Sequence, residues 1–154
     1  MTDVVIRRAT SDDLPAIIAM LADDPLGAIR ESPADLTPYQ RAFEAIEAIE
    51  ADPNQVLVVA DRNGEAIGTL QLTIVPGLSR QGASRGLVEA VRIAASARST
   101  GLGTTLMEWS IEEARARGCT VVQLTSDKTR TDAHRFYTDR LGFTNSHEGF
   151  KLAL

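Results

Sequence analysis

The chain is poor in the residues that build metal centres and covalent cross-links. Its 154 residues include one cysteine, Cys119, and two histidines, His134 and His147. A lone cysteine excludes an internal disulfide, fits a reducing compartment and offers no paired-ligand spacing. The histidines stand singly without ligand partners, so no metal is expected. Cys119 opens a predicted strand with no histidine near it in sequence, which reads as inert core rather than a nucleophile. No apolar run approaches the ~18 residues that a membrane helix requires. The opening "MTDVVIRRATSDDL" has no apolar signal region. A cytoplasmic protein without a membrane partner is the expectation. Basic charge is short as well: 16 Lys and Arg against 21 Asp and Glu leave a net charge of −5. With its arginines scattered, the chain has no basic face for nucleic acid.

What is present is the composition of a globular protein, 44% hydrophobic and 24% charged. Residues 1–154 suit one domain, a size that buries roughly two thirds of the surface its unfolded chain exposes. "VVIRRAT" reads as a strand. "SDDLPAIIAMLAD" reads as a helix capped by Thr10 or Ser11, with Leu14, Ile17, Ile18 and Leu21 in a stripe. A loop with Pro25, Gly27 and Pro33 leads to a helix with Thr37 as cap and Pro38 at its first position. That helix turns Phe43, Ile46 and Ile49 to one side and Glu44, Glu47 and Glu50 to another. "NQVLVVAD" and "AIGTLQLTIVPG" form a hairpin about Asn63-Gly64. The polar loop "LSRQGASR" precedes a strand from Gly86 to Ala94. A helix from Gly101 to about Arg117 closes at Gly118, and "CTVVQLTSD" reads as a buried parallel strand. A short helix, capped by Thr131 or Asp132 and stopped at Gly142, precedes a closing strand in "HEGFKLAL". The order β-α-α-β-β-β-α-β-α-β predicts an α/β fold, a mixed central sheet with helices on both faces.

Between the strand and the long helix lies "RSTGLGTTL", Arg98 to Leu106. No Lys follows Gly103, which rules out a Walker loop. Position 106 is Leu, which rules out a dinucleotide fingerprint. Two readings remain. The turn is either a tight connection that glycine permits, or a phosphate site built from helix-end amides, with Arg98, Thr104 and Thr105 adding donors.

The segment from Glu89 through "AVRIA" to Arg98-Ser99-Thr100-Gly101-Leu102-Gly103 resembles a signature of the GNAT superfamily of N-acetyltransferases. That signature is an acidic strand residue, an apolar strand, a turn, then Arg/Gln-x-x-Gly-x-Gly/Ala opening a helix. "AHRFYTDRLGF", Ala133 to Phe143, resembles the family's Ala-x-x-Phe-Tyr-x-x-x-Gly-Phe pattern. The resemblance implies a single GNAT-like domain that uses acetyl-CoA. The pyrophosphate would lie on Arg98, Ser99, Thr100, Gly101, Leu102, Gly103 and Thr104. The pantetheine arm would pair with the strand before the turn, Val91 and Ile93 included, beside a bulge that splays two parallel strands. Arg130 stands where many members carry Asn, seven residues before the tyrosine.

Acetyl transfer to an amine sets three chemical requirements. A lysine-like amine with pKa ~10.4 is about 3.4 units from neutrality at pH 7, a cost of roughly 4.6 kcal/mol. Glu89, on the strand of the resemblance, can take that proton directly or through water; otherwise it binds a cationic substrate or simply points outward. An amide near Ile93 can serve the oxyanion. Tyr137 matches the family's general acid for the leaving thiolate; the alternative is a packing tyrosine. The implied reaction is direct attack by a primary amine, most simply of a small molecule, in a ternary complex. A non-catalytic acyl-CoA-binding or regulatory module is the alternative. Asp23, Asp24, Glu31 and Asp35 can favour a cationic acceptor or form a solvated loop, and dimerisation, common in the family, would let a second copy complete the acceptor cleft.

Overall fold

The β-branched runs assemble into one five-stranded sheet in the computed structural model, which describes residues 3–47 and 53–154. Its strands are β1 (Val5–Arg8), β2 (Gln55–Arg62), β3 (Glu65–Val75), β4 (Ser84–Ile93) and β5 (Cys119–Gln123), in that spatial order. Each of the first four is antiparallel to its neighbour, and β5 runs parallel to β4. The helical elements are α1 (Leu14–Ala22), α2 (Gly27–Arg30), α3 (Thr37–Glu47), the single turn α4 (Ser79–Gly82), α5 (Leu102–Ala116) and α6 (Thr131–Arg135). None of the described helices is long and apolar enough to cross a membrane. Residues up to Gln123 and residues from Leu124 form two compact units, described separately below.

Helices cover both faces of the sheet. On one face Leu14, Ile17 and Met20 of α1 and Phe43 of α3 cluster with Val59 and Ala66. On the other, α5 seats Leu106 and Ala114 so close that a Cβ on Gly68 or Gly86 would lie 2.8 or 3.0 Å from them. Strand alternation follows from this: Leu70 and Leu72 are fully buried on the α5 side, while Thr69, Gln71 and Thr73 of the same strand point to the α1 side. The hairpin between β2 and β3 turns through left-handed Asn63 and Gly64, as its sequence predicts.

Several expectations are revised. The α1 segment begins with a 3-10 turn, Ser11–Asp13, in which the Thr10 amide donates to Asp13 Oδ2 at 2.7 Å. At α3 the helix-end amide of Thr37 donates to Asp35 Oδ1 at 3.0 Å, so Asp35 does the capping. Ile49 and Glu50 lie outside the described residues. The loop after α1 contains the turn α2, because Asp24 Oδ1 accepts the Gly27 amide at 2.6 Å and starts a helical turn there. The 76–85 loop contains α4, where Arg80, Gln81 and Gly82 are all left-handed. β5 is partly exposed rather than fully buried, Val121 by 39%, since it is an outer strand of the sheet.

In the second unit, α6 runs into a π turn, Phe136–Arg140, that ends at Gly142 with φ +73°. The Phe143 amide returns to the Tyr137 carbonyl at 2.9 Å. The cap position of α6 is Arg130, not Thr131 or Asp132, because Asp127 Oδ1 engages the Thr129 amide and hydroxyl and turns the chain earlier. No strand follows β5 among the described residues, so the expected closing strand is absent. Phe150, Leu152 and Leu154 alternate as a strand would, yet are 92%, 86% and 117% exposed. Alternation alone makes no strand without a ladder partner.

One polar knot ties three elements of the first unit. Arg7 on β1 meets Asp13 through two bonds of 2.8 and 2.9 Å and Asp61 of β2 through Nε at 2.8 Å. The Arg7 bonds hold the Asp13 carboxyl below its ordinary range, against the opposing effect of burial. This stabilisation is present above the ordinary carboxylate pKa of about 4 and is lost as pH falls through the lower folded-state value. Asp13→Asn should therefore cost about 2 kcal/mol at pH 7. Urea melts should show the gap between variant and wild type closing in acid below about pH 4.

Candidate active site

The α1 face of β3 and β4 carries a run of polar side chains where a covered sheet face is normally apolar. Gln55 of β2 accepts from Thr73 Oγ1 at 3.1 Å and from Gln71 Nε2 at 3.4 Å. Gln71 pairs in register with Glu89 of β4, so the two side chains lie side by side on this face. Glu89 is exposed and makes no hydrogen bond or ion pair among the described residues.

β4 contains a bulge next to Glu89. The register passes from Gln71↔Glu89 to Thr69↔Arg92, so Ala90 and Val91 together span the place of Leu70. Ala90 adopts φ +53°, a left-handed conformation that bulges use and that an L-residue takes up at a cost. Simple alternation puts Glu89 and Arg92 on opposite faces. The extra residue puts them on the same one. Arg92 reaches Asp24 at 3.5 Å and its own Val91 carbonyl at 2.9 Å.

The same strand outruns its parallel neighbour. Pairing with β5 ends at Leu87↔Gln123, and β4 continues for six more residues, Val88 to Ile93. On the β3 side the Ala94 amide donates to the Ile67 carbonyl at 2.9 Å. Because successive amides alternate between strand edges, those of Val91 and Ile93 face the other edge, where β5 has ended.

Beyond β4, Ala95–Ala97 form a 3-10 turn and the chain enters α5 through Ser99 (φ +62°) and Gly101 (φ +87°). A Cβ at Gly101 would meet nothing within 4 Å, so glycine is needed there for its conformation. The first ladder bond of α5 runs from the Thr105 amide to the Gly101 carbonyl at 3.1 Å. The amides of Leu102, Gly103 and Thr104 precede that ladder. Arg98, Ser99, Thr100 and Gly101 are exposed. Of the expected hydroxyl donors, Thr105 Oγ1 bonds the Gly101 carbonyl at 3.3 Å, and the neighbouring Thr100 Oγ1 bonds the Ala97 carbonyl at 2.6 Å. Arg98 is held by Asp23 Oδ2 at 2.7 Å.

The acidic residues of the α1–α3 region have structural partners. Asp23 binds Arg98, Asp24 binds Arg92 and the Gly27 amide, Glu31 accepts from Tyr39 Oη at 2.8 Å, and Asp35 accepts from Thr37. An open cleft of about 550 Å³ between α1 and Ala94–Ala95 is walled largely by alanines and Met20, and Glu89 is not among its walls. In the second unit Tyr137 is half-buried in the π turn. Its ring packs against Phe136 at 5.3 Å and edge-on against Phe143 at 5.9 Å. Cys119 is partly buried, and burial raises its thiol pKa, the opposite of an activated nucleophile.

Residues 15–143 match the model of the Acetyltransferase (GNAT) family. The chain belongs to this GNAT family. It is an acyltransferase. It is 30% identical over 149 residues to an aminoalkylphosphonate N-acetyltransferase of Salmonella typhimurium, covering 97% of this chain and 90% of that protein. A Bacillus halodurans protein described as a transcriptional regulator superposes with a TM-score of 0.89 at 46% identity, over 99% of this chain and 100% of that one. A Trypanosoma brucei acetyltransferase gives 0.78 at 26% identity, over 99% and 100%. The fold of this GNAT chain is thus supported by relatives from bacteria and a eukaryote.

Sequence reading had singled out Glu89 and the glycine turn but missed Gln55, Gln71, Thr73 and Arg92. The signal was present in "TLQLTIV". A strand paired on both sides whose alternate residues are Thr69, Gln71 and Thr73 has one polar face. Backbone conformation yields a paired prediction. Gly101→Ala should cost about 1–2 kcal/mol because alanine must hold a left-handed conformation. Ala90→Gly should leave stability equal or higher. Guanidinium melts of both variants check this contrast.

Proposed function

We propose that this acetyltransferase moves acetyl from acetyl-CoA to the primary amine of a small molecule by direct attack in a ternary complex. The observation that carries the reading is Glu89, a carboxylate without a side-chain partner among the described residues, paired with Gln71 on a polar sheet face beside the β4 bulge. Its roles are to hold the incoming ammonium and to take its proton, directly or through water. The turn from Arg98 to Thr104, exposed at Arg98, Ser99, Thr100 and Gly101 and followed by Leu102 and Gly103, would hold the pyrophosphate at the α5 N-terminus. Val91 and Ile93 would bond the pantetheine arm along the edge that β5 leaves, and the Ile93 amide would donate to the oxyanion. The cosubstrate supplies an acyl group activated as a thioester. Tyr137 would give the departing thiolate a hydrogen bond or its proton, a role supported by "AHRFYTDRLGF" and by a ring fixed between two phenylalanines in a π turn, an element frequent at functional positions.

The small-molecule acceptor is supported by the Salmonella relative, whose name specifies a small amine. The description of the Bacillus halodurans protein belongs to that protein; a net charge of −5 in this chain speaks against a DNA partner. No metal enters the proposed chemistry.

Acetyl-CoA at a hundredfold over its Kd should raise stability by ~2.7 kcal/mol, read as a higher Tm. In steady-state assays of thiol release, Glu89→Gln and Tyr137→Phe should each lower kcat by about 10²–10⁴ while retaining the acetyl-CoA thermal shift. Wild-type rates in either variant would remove that residue from the mechanism.

A further inference from the structure

We propose that the acceptor carries an anionic group a few bonds from its amine, and that Arg92 reads that group. The inference rests on the acetyl-transfer reading above and adds the substrate's second charge. The bulge is its basis. Glu89 and Arg92 pair with Gln71 and Thr69, two residues apart on β3, which separates their Cα atoms along the sheet by roughly 6.6 Å. A carboxylate and a guanidinium on one face at that spacing match a short zwitterion: ammonium on Glu89, carboxylate or phosphonate on Arg92.

Arg92 suits the task. Its side chain is 20% exposed and lies on the same face as Glu89, contacting Asp24 of the α1–α2 connection. Asp24 is itself fixed by the Gly27 amide at 2.6 Å, so it steadies the guanidinium from one side. A guanidinium carries five N–H donors in a planar fork. It can therefore take a carboxylate or phosphonate alongside Asp24.

Other cations fit less well. Arg85 shares the face, since Val75↔Arg85 continues the same register, and its Nε is buried without a partner. It stands four residues before Glu89, roughly 13 Å away, too far for a short acceptor. Arg98 lies beyond β4, in the turn assigned to the pyrophosphate. Among the acidic candidates, Asp23, Asp24, Glu31 and Asp35 all have protein partners, which leaves Glu89 as the carboxylate for the amine.

The test is a matched acceptor series with acetyl-CoA and the full chain: β-alanine and 2-aminoethylphosphonate against propylamine and ethanolamine. Wild type should favour the anionic members by at least about tenfold in kcat/KM, mainly through KM, the scale of one charge-assisted contact. In Arg92→Gln the anionic-to-neutral ratio should fall to near one, and Arg92→Lys should restore part of it. Circular-dichroism melts of both variants with and without acetyl-CoA establish that they fold and bind the cosubstrate. A wild type indifferent to the anion, or a preference that survives Arg92→Gln in folded protein, overturns the proposal. If wild type releases no more thiol with any of the four amines than without amine, the acetyl-transfer reading fails and this proposal fails with it.

Discussion

A single extra residue in β4 decides what the sheet can do. Between Glu89 and Arg92 the strand spends two residues, Ala90 and Val91, against one on β3. Ala90 takes a left-handed conformation to allow it. Without that insertion Arg92 would turn toward α5, and Glu89 would have no guanidinium next to it on the α1 face. With it, a carboxylate and a guanidinium line up beside Gln71. The same strand runs six residues past its last pairing with β5 and so keeps a backbone edge for another partner. The composition of this face depends on backbone register before it depends on any one side chain.

The surrounding fold holds that register in place. β3 and β4 exchange a ladder from Val75↔Arg85 to Gly68↔Ile93. α5 presses on the opposite face at Gly68 and Gly86, where even a methyl would collide. On the α1 side, two successive aspartates tie the helix end to both ends of the segment that leaves β4, Asp24 to Arg92 and Asp23 to Arg98. The Asp23–Arg98 pair is exposed and contributes little to stability, while Asp24–Arg92 is mostly covered. Their effect is positional: the loop over the polar face and the turn ahead of α5 are fastened together.

Much of this was legible in the chain, and the exceptions have physical causes. Apolar periodicity located the strands and α5, the Asn63-Gly64 turn located the hairpin, and Gly101 and Gly118 marked the ends of α5. The two signature segments pointed to the family. That Glu89 and Arg92 share a face was not legible, because alternation assumes an unbroken strand and nothing in "VEAVRIA" announces that alanine will go left-handed. The acidic loop stayed open between two readings for a related reason: composition cannot separate a carboxylate that awaits a ligand from one that caps a turn. "HEGFKLAL" shows the converse error, since it has the period of a strand without a ladder to join. Thr69, Gln71 and Thr73 were readable, but only once β3 was known to be paired on both sides, which is a tertiary fact.

The most direct measurement is a crystal structure of the protein with CoA and an N-acetylated product. The account predicts the product amide within hydrogen-bonding distance of Glu89, on the sheet face of Gln71, with the CoA arm bonded to the Val91 and Ile93 amides. A product bound on the α5 face, or out of reach of Glu89 with the arm elsewhere, would contradict it.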